Sequence, residues 1–196
     1  MIECLYDVFK SWASRGSVYI MSDTHFDDYD CKMMDPNWIE PEKQIEIINK
    51  KVFKGDTLII LGDIGDAEWA KKIKARKILI TGNHDIPHLY KDIFDEIYTG
   101  PLFIAPKILL SHEPVCGLHF CVNIHGHDHS GIMRYNDNSG AKHINVAANV
   151  CGYTPINLKE EIKKGLISGI KDIHRITIDG ATEKSLRKKE KNEMLE

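Results

Sequence analysis

The sequence predicts an α/β fold in which a parallel α/β unit is followed by a second, mixed sheet. Short apolar runs rich in β-branched residues recur along the chain without polar alternation, as strands buried on both faces do. Helical patterns separate several of these runs in the first half, which favours parallel pairing. From about residue 100 to 150 the runs succeed one another more closely, as in a mixed sheet.

Taken in order, Leu5, Val8, Phe9 and Trp12 share one helical face, so residues 1–16 are expected to form a short packed helix ahead of the first strand. Strands are expected at SVYIM (17–21), TLIIL (57–61), KILI (77–80), KILLS (107–111), FCVNI (120–124), INVAANV (144–150) and RITI (175–178). Helices are expected at PEKQIEIINKKV (41–52), where Ile45, Ile48 and Val52 carry the apolar spacing, at AEWAKKIKA (67–75), and at HLYKDIFDEIY (88–98), just after Pro87. Residues 26–40 read as a long loop, in which Tyr29 or Trp38 either stacks on a substrate ring or, for Trp38, packs on the helix beneath. The charged tail from about 182 to 196 reads as a solvated helix or a frayed end.

A chain of 196 residues, 42% apolar, suits a single domain with one sizeable core. The formal charge of -3 supplies no global attraction to nucleic acid or to an anionic membrane. No apolar run approaches the roughly 20 residues needed to span a bilayer. The N-terminal MIECLYDVFKSW carries acids where a secretory signal carries bases, so a cytoplasmic protein is expected. Five cysteines, odd in number and never in CxxC, suggest neither a disulfide framework nor a zinc knuckle. Cys121 and Cys151 in particular read as small buried hydrophobes.

The informative regularity lies at the carboxyl ends of the apolar runs. SVYIM leads into Asp23 and His25, TLIIL into Asp63 and Asp66, and KILI into Asn83, His84 and Asp85. KILLS leads into His112, and FCVNI into HGHDH with His125, His127 and His129. In open α/β sheets functional groups collect beyond the carboxyl ends of parallel strands, so residues a hundred positions apart can share one crevice. Carboxylates, imidazoles and one amide, with no thiol, suit Mn, Fe, Co, Ni or Zn in five- or six-fold coordination. They are too many for one ion. Two ions about 3.5 to 4 Å apart, bridged by a carboxylate, are an arrangement by which hydrolases clamp both oxygens of a phosphoryl displacement.

As an ordered set, DxH (Asp23, His25), GD (Gly62, Asp63), GNHD (Gly82 to Asp85), a lone His after a strand (His112) and GHxH (Gly126 to His129) resemble the five motifs of the calcineurin-like metallophosphoesterases. The match spans residues 18–150 and is similar to compact bacterial, archaeal or phage members. The resemblance implies two mixed sheets packed as a sandwich and flanked by helices, a four-layer αββα arrangement. It implies that Asp23, His25 and His129 hold one divalent metal, that Asn83, His112 and His127 hold a second, and that Asp63 bridges them, with Mn favoured and no organic cofactor. A hydroxide bridging the two ions would then be the nucleophile.

In the family pattern His84 is no ligand but faces the substrate, donating to a phosphoryl oxygen and protonating the leaving alkoxide. Asp66 matches an aspartate that in part of the family pairs with this histidine; equally, it could cap the next helix. Asp85 reads as a carboxylate at a helix start. Arg134 could reach a phosphate at the rim, or be an ordinary solvated charge. His125 reads as a packing residue or a support for the ligands. The resemblance implies hydrolysis of a phosphomonoester or phosphodiester, with a small phosphorylated molecule such as a nucleotide as the expected substrate. Two alternatives stand beside it. A nuclease would need a basic track, for which KKIKARK (71–77) and KSLRKKEK (184–191) are the candidates, and a non-catalytic metal-binding scaffold would keep the fold alone.

Overall fold

The structure, a computed structural model, describes residues 2–171 and 173–193, with the side chains of the last helix described through residue 187. The protein is a mixed α/β fold built on two five-stranded sheets. The first contains β1 (Val18–Met21), β2 (Thr57–Ile60), β3 (Arg76–Ile80) and β4 (Glu96–Tyr98), all parallel, with β10 (Ile156–Asn157) antiparallel on the β1 edge. The second has the order β5 (Leu102–Ala105), β6 (Ile108–Leu110), β7 (Val122–His125), β9 (Lys142–Asn145), β8 (Arg134–Asn136). Its middle pairs, β6 with β7 and β7 with β9, are parallel, and both edges are antiparallel.

Alternation along the strands explains how the sheets meet. Val18 and Ile20, Ile59, and Ile78 and Ile80 from the first sheet share one core with Ile108, Leu110, Val122, Ile124 and Ile144 from the second. The opposite face of the first sheet, with Tyr19, Met21, Leu58, Ile60 and Leu79, packs on helix α2 (Pro41–Lys51) through Ile45 and Ile48. The outward face of the second sheet carries Asn123, His125, Tyr135 and His143, and the stretch after β6 folds over it, with Val115 N–H donating to Asn123 Oδ1. Of the two later helices, α4 (Leu158–Lys163) sends Leu158 into the core between the sheets, and α5 (Ile173–Glu193) lies largely exposed.

Five expected elements differ, the first being the strand expected at 144–150, which is β9 (Lys142–Asn145) with a lone bridge at Ala147 before a turn. The N-terminal segment is a 3-10 helix over Asp7–Ala13; Leu5, Phe9 and Trp12 are buried, but Val8 points to solvent because a tighter turn redistributes the positions. Segment 67–75 is helical only over Ala67–Ala70 (α3), after which the Asn49 side chain donates to Lys72 O and accepts from Lys74 N–H, holding the chain out of the helix. Segment 88–98 is a 3-10 turn at Pro87–Tyr90 followed by edge strand β4, so EIY obeys its β-propensity. RITI lies inside α5, where Arg175 and Asp179 pair across one turn; a four-residue apolar run does not by itself separate strand from helix. A short helix α1 (Cys31–Met34) interrupts the long loop, and the tail from residue 194 lies outside the described residues.

The two sheets join at the carboxyl ends of their strands. Ser22 N–H donates across to Val146 O at 2.9 Å; within the first sheet Asp23 N–H donates to Gly62 O and His25 N–H to Asp63 O, and within the second Gly126 N–H donates to His112 O, at 2.8 to 3.0 Å. This interlaced rim carries the polar motifs. No helix among the described residues is long and apolar enough to cross a membrane.

Candidate metal centre

The backbone shows unusual geometry at the rim. Asp23, His25, Asp63 and His127 all adopt positive φ, at 55°, 39°, 52° and 66°. The left-handed region is unfavourable for L-residues, and such strain persists only where surrounding structure enforces it, commonly at functional sites. Each of the four is a residue singled out as a metal ligand. Close approach is enforced as well. A Cβ on Gly126 would stand 2.0 Å from Asp23 Oδ2 and 2.1 Å from Ser22 Oγ, and one on Gly82 would stand 2.2 Å from Asp63 Oδ1.

The side chains gather into two triads. Asp23, His25 and His129 form one, and Asp63, His112 and His127 the other; within each, one potential ligand atom per residue lies within 4.8 Å of the others. Asn83 completes the second set, with Oδ1 2.8 Å from His112 Nε2. His25 Nε2 stands 3.8 Å from Asp63 Oδ2, which puts Asp63 between the sets. All seven expected ligands therefore occupy one rim in the expected grouping.

The donor chemistry of these sets fits cations. His112 Nδ1 lies 2.8 Å from Leu61 O and must carry a proton to bond there, which leaves the Nε2 lone pair as the only remaining function of a neutral ring. That lone pair faces Asn83 Oδ1 at 2.8 Å, His127 Nδ1 at 3.1 Å and Asp63 Oδ2 at 3.3 Å. Acceptors converge on acceptors unless a cation or proton lies among them. Two ligand atoms at about 2.0 to 2.1 Å from a tetrahedral ion stand about 3.3 Å apart, so these separations match the edges of a coordination shell. In the first triad Asp23 Oδ1 and His25 Nε2 are buried without a hydrogen-bond partner among the described residues, and His129 Nε2 is 3.6 Å from that same Asp23 oxygen. Buried groups of this kind are costly unless something pairs with them.

The electrostatics agree. Burial pushes the Asp23 carboxyl above its ordinary range against the opposing pull of His112, Ser22, the His127 N–H and His129. Burial alone would lower the His112 pKa, but its hydrogen bond to Asp63 and the charges of Asp23 and Asp63 prevail and raise it to about 9. A proton on His112 thus performs the role that a metal cation would take.

Three supports carry little or no mark in the sequence. Asp28 Oδ2 lies 3.0 Å from His25 Nδ1, and Asn149 Oδ1 lies 3.3 Å from His129 Nδ1, so each ring presents Nε2 inward. Such outer partners fix the tautomer and orientation of ligating imidazoles. Asp85, read as a helix-start carboxylate, instead accepts from Gly82 N–H at 2.8 Å, Asp63 N–H at 2.9 Å and Ile64 N–H at 3.0 Å, bracing two loops together. Asp85 had a signal in its place within GNHD; nothing in the local sequence marks Asn149.

His84 is exposed beside the triads, its ring 5.9 Å from that of His25 and its N–H donating to Asp63 Oδ1. Asp66 does not pair with it: the carboxylate caps α3 by accepting from Glu68 N–H at 2.9 Å. Arg134 is likewise placed differently from its rim role, because its guanidinium meets Glu161 of α4 at 2.5 Å. His125 is fully buried outside both triads, between Gly126 O at 2.8 Å and the Tyr135 hydroxyl at 3.0 Å. Trp38 packs against the rings of His25 and His129 at 5.9 and 5.6 Å, forming a wall of the site rather than a platform on α2 alone, while Tyr29 is exposed. Beside His25 a cavity of about 440 Å³ is lined by Asp28, Tyr29, Lys32, Met33, Trp38 and other residues of the 27–41 segment.

No protein-family model matches the chain. The chain is 28% identical to the gene 66 protein of Mycobacterium phage D29 over 163 aligned residues, covering 61% of this chain and 81% of the phage protein. Its structure is similar to the crystal structure of the protein of unknown function AQ665 from Aquifex aeolicus, with a TM-score of 0.60 and 26% identity over 76% of this chain and 98% of that one.

Proposed function

We propose that the protein is a binuclear metal-dependent phosphoesterase of the calcineurin-like metallophosphoesterase type, hydrolysing a phosphomonoester or phosphodiester of a small molecule such as a nucleotide. One observation carries the reading: the residues of five separate motifs meet at one rim as two triads in which lone pairs face one another and buried ligand atoms lack partners among the described residues. Asp23, His25 and His129 would hold one divalent ion, Asn83, His112 and His127 the other, and Asp63 both. When bound, such ions supply Lewis-acid polarisation of a phosphoryl oxygen and acidify coordinated water.

The chain's own groups do the rest. Asp28, the Leu61 carbonyl and Asn149 hold three imidazoles so that their Nε2 atoms point inward. His84, exposed at the edge with its backbone anchored on Asp63, would donate to a phosphoryl oxygen and protonate the leaving oxygen. Trp38 closes one side of the rim and limits water access to His25 and His129. A nuclease reading is weaker, because four of the five cations of segment 71–77 are engaged locally: Lys71 pairs with Glu68, Lys72 lies over Trp69, Arg76 meets Glu96, and Lys77 donates to Ile73 O.

The test is turnover of p-nitrophenyl phosphate and its bis ester by Mn-loaded protein beside a His84→Asn variant. Hydrolysis of at least one ester, with a loss on the order of 100-fold or more in the variant, is expected. No turnover of either ester, together with failure to retain Mn, would remove the proposal.

A further inference from the structure

A further cluster of metal-ligating side chains gathers at the outward face of the second sheet. Cys116, Asp137 and His143 each offer one ligand atom, and these atoms lie within 4.8 Å of one another. The His143 side chain is fully buried, yet neither of its ring nitrogens has a hydrogen-bond partner among the described residues. Its Nε2 stands 3.5 Å from Asp137 Oδ2, too long for a good hydrogen bond but close to the separation of about 3.3 Å between two ligands on a tetrahedral Zn2+.

The three groups are held in place before any ion arrives. The His143 ring is sandwiched flat against Tyr135, with centroids 4.8 Å apart and planes 7° from parallel, so its direction is fixed. The Asp137 carboxylate accepts from Ser139 N–H, Ser139 Oγ–H and Ala141 N–H on one oxygen and from Gly117 N–H, at 2.7 Å, on the other. Those donors, led by Ser139 and Gly117, keep it far below the usual carboxylate range and hence ionised. The Gly117 contact also ties down the neighbouring Cys116, whose thiol is exposed.

We infer that Cys116, Asp137 and His143 bind a divalent cation of borderline softness, Zn2+, through one sulfur, one oxygen and one nitrogen, with a fourth position open to solvent. A thiolate in the set selects Zn2+ over the harder Mn2+ suited to the rim triads. On binding, the Cys116 thiol gives up its proton to solvent and the sulfur donates its electron pair to the ion. The nearby rim holds no thiol ligand in its two triads, so sulfur ligation reports this site alone, with one exception to control: Cys31 lies close to His25 and Asp28.

The full-length chain, stripped with a chelator, would be titrated with Co2+ and followed by thiolate-to-cobalt charge-transfer absorption in the near ultraviolet. The band is expected in the parent and in Cys31→Ser, and is expected to vanish in Cys116→Ser and to weaken at least about tenfold in apparent affinity in Asp137→Asn. After Zn2+ loading and dialysis, Cys116→Ser should hold one equivalent less per chain than the parent, with unchanged circular dichroism and unchanged hydrolysis of the esters named above. Absence of the band in the parent, its persistence in Cys116→Ser, or its loss in Cys31→Ser would overturn the assignment. Because the cobalt band and the zinc stoichiometry need no turnover, they fail or succeed independently of the phosphoesterase proposal.

Discussion

Asn149 clasps His129 from two sides, its Nδ2 donating to the His129 carbonyl at 2.7 Å while its Oδ1 stands 3.3 Å from His129 Nδ1. The amide thereby fixes both the position of the residue and the nitrogen that it turns towards Asp23. Asn149→Ala is expected to weaken divalent-ion binding roughly 10- to 100-fold without unfolding the protein. Calorimetric titration with Mn2+, beside circular dichroism, checks this; unchanged affinity would mean that packing alone positions the ring.

Asp85 is expected to matter more for stability than its half-exposed position suggests. Three backbone N–H groups, from Gly82, Asp63 and Ile64, end on its carboxylate. Asp85→Ala removes a charged acceptor from all three, and urea unfolding should show a loss of roughly 2 to 4 kcal/mol. A loss below about 0.5 kcal/mol, the range of ordinary surface substitutions, would show that water replaces it freely.

Gly126→Ala should damage the rim directly. The added methyl would meet Asp23 Oδ2 and Ser22 Oγ at 2.0 and 2.1 Å, so strand β7 or the Asp23 carboxylate must move. Overpacking of this kind costs about 1 to 3 kcal/mol. Thermal unfolding should fall accordingly and retained metal should drop, whereas Gly117→Ala, with nothing within 4 Å of its Cβ but φ at 83°, should cost only backbone strain.

Acid should destabilise the metal-free protein partly through His125. Burial lowers its pKa from 6.5 to about 4 in the folded state. Between those values the unfolded chain takes up a proton that the folded chain refuses, so stability is complete above about pH 6.5 and declines towards pH 4, by up to roughly 3 kcal/mol. His125→Gln should flatten that limb. His112 does not confound the window: its raised value of about 9 gives stability that is fully present below pH 6.5 and is lost as the pH rises through 9. Chemical unfolding at successive pH values in chelator separates the two limbs.

The strands flanking the rim are legible in the sequence because Val18–Met21, Thr57–Ile60 and Arg76–Ile80 are largely buried on both faces, leaving an apolar run that reads as strand in any context. The grouping of Asp23, His25, Asp63, Asn83, His112, His127 and His129 is legible because each comes just after such a strand, and parallel strands deliver their ends to one edge. The rest is decided by tertiary contact. RITI carries no local mark separating it from a helical turn, and the orientation of Arg134 is settled by Glu161, a partner that spacing to a motif does not reveal, whereas Asp66 takes the helix-capping role that its place before Ala67–Ala70 offered. The supports Asp28 and Asn149 are equally invisible, since an oxygen three or twenty residues from a histidine carries meaning only once the chain has brought them together.

Each rim triad draws ligands from both sheets: Asp23, His25 and Asp63 come after strands of the first, while His112, His127 and His129 come after strands of the second. Beyond any chemistry, an ion at either position is therefore a rivet through the sandwich, resisting the sliding or hinging of one sheet over the other. At an ion concentration 100 times its dissociation constant it would add about 2.7 kcal/mol to global stability. The same ion would tie the strand ends of one sheet to those of the other, so chelation should loosen the two halves from each other before either sheet frays.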